Sequence, residues 1–187
     1  AACVHAILTP DNCIYEMERV ITEALANRQP AYIIVAEDLA TRPITGPALE
    51  PFPEPQSDAD ELKAAVNAVL EKLEAANNGC ILPAFTVSRF GLQAELTALI
   101  EASGLPFATT GMDKAAISEG HPQFLGGYAG KFSAPNVVEA VEGGDVVINA
   151  GGVLFTDLST AGFADNIDPA KMITIGIDYT QVDDRIY

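Results

Sequence analysis

A chain of 187 residues that is 49% hydrophobic can bury a sizeable core, and holds one domain of ordinary size with some chain to spare. Ten lysines and arginines stand against 26 acidic residues, a formal charge of -16 that repels nucleic acid and anionic membrane surfaces and argues against both as partners. Cys3, Cys13 and Cys80 form no CxxC and have no histidines at metal-ligand spacing, which fits reduced thiols better than a disulfide framework. The opening AACVHAILTPDN has no basic segment and no long apolar run, so it reads as neither signal peptide nor membrane span, and the chain as cytoplasmic.

Thr9-Pro10-Asp11-Asn12 reads as a polar helix start ahead of Ile14, Met17, Val20, Ile21 and Leu25, whose spacing places them on one face. The helix is expected to end near Asn27, and AYIIVA after Pro30 reads as a short buried strand. Over residues 41–57 the prolines at Pro43, Pro47, Pro51, Pro53 and Pro55 remove donors and forbid regular structure, so an extended linker is expected. Residues 58–76 read as a helix capped by Ser57 or Asp58 and closed by Asn77-Asn78-Gly79 in the left-handed conformation. CILPAF reads as a strand, residues 91–103 as a helix, PFATT as a strand, residues 136–142 as a helix, DVVINA as a strand and MITIGID as the last strand. Such alternation implies a parallel sheet covered on both faces, a Rossmann-like three-layer α/β/α fold.

In such a sheet ligands sit beyond the carboxyl ends of the strands, which singles out the loops at residues 86–91, 111–131 and 151–162. None carries GxGxxG, and Gly126, Gly127 and Gly130 read as tight-turn glycines rather than phosphate contacts. Lys114, Arg89 and Lys131 read as surface cations. His121 precedes Pro122, in a turn, and no nucleophile with a matching carboxylate can be assigned to it.

The succession SRFGLQAEL, GMDKAAISEGHPQFLGGYAG, PNVVEAVEGGDVVINAGG and FTDLSTAGF resembles the central domain of thiamine-diphosphate-dependent 2-oxo acid decarboxylases, the pyruvate and indolepyruvate group most of all. HAILTPDNCIYEMERVITEALANRQPAYIIVAEDLA resembles the last helix and strand of that family's N-terminal, pyrimidine-binding domain. The resemblance implies residues 1–40 as that domain's tail, 41–57 as a linker, and 58–187 as a central domain of the DHS-like NAD/FAD-binding type. It implies non-oxidative decarboxylation of a 2-oxo acid to an aldehyde, with thiamine diphosphate and magnesium, in a full-length homodimer or homotetramer.

The same resemblance implies that the activating glutamate belongs to the N-terminal domain and the magnesium- and diphosphate-holding GDG segment to the C-terminal domain. Gly144-Asp145 continues into Val146 and is no such segment. No catalytic, cofactor or metal residue is therefore expected in this chain, which alone should be inactive and bind no cofactor. The substrate-pocket candidates implied are Thr156, Asp157 and Leu158, with the family's pocket position falling on Leu158. Thr86 and Arg89 are the effector-site candidates. Yeast-type members carry an activating cysteine in the matching segment and a histidine where Phe90 stands, so hyperbolic rate curves are expected here. A stand-alone nucleotide or coenzyme A binding domain and an interaction module regulating a partner enzyme stay open as alternatives. On the first reading Ile14, Met17, Ile21 and Ile33 lack their natural sheet and seek cover.

Overall fold

The structure, a computed structural model, describes residues 4–44, 46, 56–163 and 165–187, and divides into two units, Ala1–Gln56 and Ser57–Tyr187. Most of the proline-rich linker expected at 41–57 lies outside the described residues.

The first unit is a strand, helix and strand: β1 (Val4–Ile7), α1 (Cys13–Asn27) and β2 (Ala31–Ile34), with β1 and β2 parallel. Thr9 and Asn12 fix the start of α1 reciprocally. The Thr9 N–H donates to Asn12 Oδ1 at 2.7 Å, and the Asn12 N–H to Thr9 Oγ1 at 3.3 Å. Cys13 and Val20 bury themselves with Ala6, Leu8 and Leu39. Two expectations need correction. Residues 4–7, to which no element is assigned from the sequence, form a strand. AYIIVA is not a buried strand, because α1 covers one face of a two-stranded sheet and leaves the other open, with Tyr32 62% and Ile34 42% exposed.

The second unit begins at α2 (Ala59–Ala75), whose first turn is held by Asp58 Oδ1 accepting from the Asp60 and Glu61 N–H groups, both at 3.0 Å. There follow β3 (Gly79–Pro83), α3 (Phe85–Phe90), α4 (Gln93–Ser103), β4 (Phe107–Thr109), β5 (Phe124–Gly127), α5 (Pro135–Glu142), β6 (Val146–Ala150), β7 (Met172–Ile175), β8 (Thr180–Val182) and β9 (Arg185–Ile186). The sheet order is β5-β4-β3-β6-β7-β8-β9, parallel from β5 to β7 and antiparallel beyond. Strand alternation sorts the core into two layers. Ile81, Phe107, Val146, Ile148 and Ile173 pack against α2 and α4, while Cys80, Leu82, Ala108 and Val147 pack against α5. β3 and β6 are buried at every position, as strands covered on both faces must be. The Rossmann-like three-layer α/β/α arrangement is what the alternation predicts.

The details depart in four places. Residues 86–90 of the expected 86–91 loop belong to the helix α3, and Gly91, at φ 73°, ends that helix in the left-handed conformation. The loop expected at 111–131 contains β5, concealed by its two glycines. MITIGID is not the last strand: Gly176 turns the chain, its N–H donating to the Tyr179 carbonyl at 2.8 Å, and β8 and β9 return antiparallel. Finally, Asn77-Asn78-Gly79 supplies no left-handed cap. Ala76 is extended at φ -86° and ψ 140°, and Gly79 already belongs to β3.

The asparagines bind Asp145, the residue ahead of β6, instead. The Asn77 N–H and side-chain amide donate to Asp145 Oδ2 at 2.9 and 3.3 Å, and Asn78 Oδ1 accepts from the Asp145 N–H at 2.8 Å. The two Asn77 bonds, the backbone N–H first, hold the Asp145 carboxyl below its ordinary value of 3.8. A carboxyl whose folded value is depressed contributes stability in full above the unfolded value, and loses it as pH falls through the folded one. Asp145→Asn is therefore expected to flatten the decline of stability below about pH 4, followed by chemical unfolding at successive pH values. An acid limb as steep as the parent's would count against it.

Cys13 and Cys80 are free and buried. Burial pushes the Cys80 thiol up to about 12, which makes it an inert core side chain rather than a nucleophile.

Candidate functional site

The chain enters the sheet at β3, adds β4 and β5 on one side, then crosses to β6 and β7 on the other. The carboxyl ends of β3 and β6 are thus the topological switch point, where open α/β sheets take their ligands. Here the two strands stay bonded one residue past β3. The Ala84 N–H donates to the Ala150 carbonyl at 2.8 Å, and the Thr86 hydroxyl donates to the Gly151 carbonyl. Gly151 has a φ of 96°, and a Cβ on it would come under 3.0 Å from Thr86 Oγ1, so glycine is required for the approach. At the same strand ends lies an apolar cavity of about 280 Å³ lined by Thr86, Val87, Phe90, Ala150, Gly151 and Ile175, among others. Arg89 is exposed and does not line it. Its guanidinium stands 4.4 Å over the Phe85 ring, four residues back along α3. Of the two effector-site candidates, Thr86 lines this cavity and Arg89 does not.

On the other side, the ends of β4 and β5 frame a cavity of about 350 Å³ with Thr109, Thr110, Gly111, Lys114, Glu119 and Tyr128 in its wall. Lys114 Nζ lies 3.9 Å from Glu119 Oε2, and the Thr109 hydroxyl donates to Glu119 Oε1 at 3.4 Å. Asp113 is buried beneath, accepting from the Phe85 N–H at 2.8 Å and from the Thr110 hydroxyl. Tyr128 donates its phenolic hydrogen to Glu142 at 3.0 Å; burial, and then Glu142, raise its pKa far above the ordinary range. His121 holds its turn, with Nδ1 accepting from the Gln123 N–H at 3.2 Å and Nε2 3.6 Å from Glu101. A carboxylate already occupies the partner position of the one lysine in this cavity wall, which disfavours a phosphate.

The third loop follows β6. The Thr156 N–H donates to Ser159 Oγ at 3.2 Å, and the Ser159 N–H to Thr156 Oγ1 at 2.9 Å, while the Ser159 hydroxyl donates to the Leu154 carbonyl at 2.7 Å. This brings Thr156, Asp157 and Leu158 together in one tight turn. Thr156 is half-buried, Asp157 exposed, and Leu158 stands at the tip with 91% of its surface exposed. Ser159 and Thr160, not singled out from the sequence, are the buried members of the turn. Serine and threonine spaced three apart, each able to bond the other's backbone, were the available signal.

A magnesium-bound diphosphate does not fit this chain's described residues. They contain no group of three or more histidine, cysteine, aspartate or glutamate side chains able to hold a metal ion, and Glu119 faces the one lysine at the β4–β5 end. Nor, among them, is any helix long and apolar enough to cross a membrane.

The mainly parallel sheet with helices on both faces defines a Rossmann-like domain. Residues 66–187 match the family described as thiamine pyrophosphate enzyme, central domain, and the chain belongs to that family. It is similar to alpha-keto-acid decarboxylases of Mycobacterium bovis and Mycobacterium tuberculosis, each 34% identical over 186 residues, covering 99% of this chain and 33% of the relative. The Mycobacterium leprae protein of the same name is 34% identical over 188 residues, covering 99% and 32%. The chain spans about a third of the length of these curated relatives. An X-ray structure described provisionally as a thiamin diphosphate-dependent enzyme, from Mycobacterium smegmatis, shares the fold: TM-score 0.53 at 19% identity, over 76% of this chain and 28% of that one.

Proposed function

We propose that this chain supplies the central domain, and residues 1–40 the end of the N-terminal domain, of a thiamine-diphosphate- and magnesium-dependent 2-oxo acid decarboxylase. The reaction is non-oxidative loss of carbon dioxide from pyruvate, indolepyruvate or a related acid, leaving an aldehyde. One observation carries the reading: relatives named alpha-keto-acid decarboxylase align over 99% of this chain, both units included. Thiamine diphosphate, when bound, acts as electron sink for the carbanion left by decarboxylation. Its binding residues, and the activating and magnesium-holding groups, belong to the N- and C-terminal domains, and the enzyme assembles as a homodimer or homotetramer in the cytoplasm.

What this chain contributes is shape. Leu158, exposed at the tip of its turn, faces the substrate end of the active site, with Thr156 and Asp157 beside it. An aliphatic side chain there leaves room that an aromatic ring would fill. In the enzyme containing this chain, with thiamine diphosphate and magnesium, Leu158→Phe is expected to shift kcat/KM toward pyruvate and away from indolepyruvate by about tenfold, the effect of roughly 1–3 kcal/mol of pocket contact. An unchanged ratio would remove Leu158 from the pocket, and absence of turnover on any 2-oxo acid would remove the reaction itself. Thr86 carries a hydroxyl bonded to Gly151 rather than a reactive thiol. The enzyme's rate curves are accordingly hyperbolic, with Thr86 and Arg89 forming no thiol-triggered effector site.

A further inference from the structure

The loop that carries Leu158 turns back through three successive positive φ values, 54° at Ala161, 142° at Gly162 and 59° at Phe163. Only glycine takes such values without steric cost, so the turn depends on what clips it. Thr160, 2% exposed, supplies the clip. Its hydroxyl lies 2.6 Å from the Phe163 carbonyl oxygen and 2.8 Å from that of Thr156, one proton serving two acceptors. The Phe163 N–H donates to the same Thr156 carbonyl at 3.2 Å. The loop is also seated on Gly130, at φ 51°, where a Cβ would come under 3.0 Å from the Thr160 carbonyl oxygen. A connecting loop needs neither a strained, clipped turn nor a glycine seat; a loop that must present one exposed aliphatic side chain in a fixed place needs both.

We propose that Thr160, seated against Gly130, is a positioning residue that fixes where Leu158 stands and so helps set the side-chain preference for 2-oxo acids. This rests on the reading of Leu158 as a pocket residue. Thr160→Val keeps the shape and removes the hydroxyl, and Thr160→Ser keeps the hydroxyl. In the enzyme containing this chain, Thr160→Val is expected to change the ratio of kcat/KM for indolepyruvate and pyruvate by about tenfold, and Thr160→Ser by less than about twofold. In a Leu158→Ala background Thr160→Val should change the ratio by less than about twofold, because the residue it acts through is gone. In the chain itself, hydrogen exchange at the Phe163 amide should quicken about tenfold in Thr160→Val, with the amides of β3 and β6 unchanged.

An equal loss of kcat/KM on both substrates, or Phe163 exchange at the parent rate, overturns the proposal. If Leu158→Phe alone leaves the ratio unchanged while Phe163 exchange still quickens, the pocket reading of Leu158 has failed and the specificity role falls with it. Should Thr160→Val not fold, Thr160→Ala, which also removes the hydroxyl, carries the same expectations with exchange read at Phe163.

Discussion

Phe107→Ala is expected to remove about 3–5 kcal/mol of stability, the range for deleting a fully buried aromatic ring whose neighbours cannot close the space. Phe107 sits at the start of β4 with no exposed surface, pairing with Ile81 on one side and Phe124 on the other. Its ring lies 5.3 Å from that of Phe124 and 5.8 Å from that of His121, both tilted, so ring contacts are lost together with buried area. β4 has three residues and lies between β3 and β5, and the register between it and β5 shifts immediately after Phe107. Urea unfolding of the chain followed by circular dichroism measures the loss, since the sequence has no tryptophan to report by fluorescence. A loss below about 1 kcal/mol would mean that the site collapses freely, against the close packing described here.

Gly79→Ala tests the other side of the same layer. At this glycine φ is not positive, so the requirement is for space alone. A Cβ would come 2.5 Å from Val146 Cγ1 and closer still to the Val146 carbonyl oxygen. The side chain could rotate away, but the carbonyl belongs to β6, paired with β3 from Gly79 opposite Val146 through Pro83 opposite Ala150. Relief means displacing that register, and a loss of about 1–3 kcal/mol or more is expected. Gly111→Ala is the control, because its Cβ would meet nothing within 4 Å and its φ is not positive. It should stay within about 0.5 kcal/mol of the parent, as ordinary surface positions do. Equal stabilities for the two variants would contradict the close β3–β6 approach.

The sequence made the centre of the sheet legible and its margins not, for a physical reason. CILP is apolar throughout and VVINA is interrupted only by Asn149, because both faces are covered, whereas AYIIVA reads the same way and lies largely exposed on a two-stranded sheet. Asp58 announces α2 because a carboxylate ahead of a helical stripe has free N–H groups to accept from. β1 is four residues long, β5 is FLGG, and β8 is TQV; each forms because a neighbour already offers its backbone edge. No local pattern carries that information. Gly79 was legible as a glycine that mattered, but its use for close approach to Val146 depends on a residue 67 positions later, as Gly144's neighbour Asp145 does for Asn78.

The candidate site divides the same way. Family resemblance pointed to Leu158, while the turn that presents it is built from three positive φ values and a seat on Gly130, which no spacing rule encodes. Arg89 illustrates the converse. Once residues 85–90 are known to be helical, its stacking on Phe85 follows from the spacing of four, and a surface role is what that spacing supports.

The most direct test of the central-domain reading compares two preparations: the enzyme containing this chain and these 187 residues alone, each with thiamine diphosphate and magnesium, assayed for carbon dioxide release from pyruvate and indolepyruvate. Release by the enzyme and none by the isolated chain is the expected result. Release by the isolated chain, or an enzyme inert toward both acids, would contradict it.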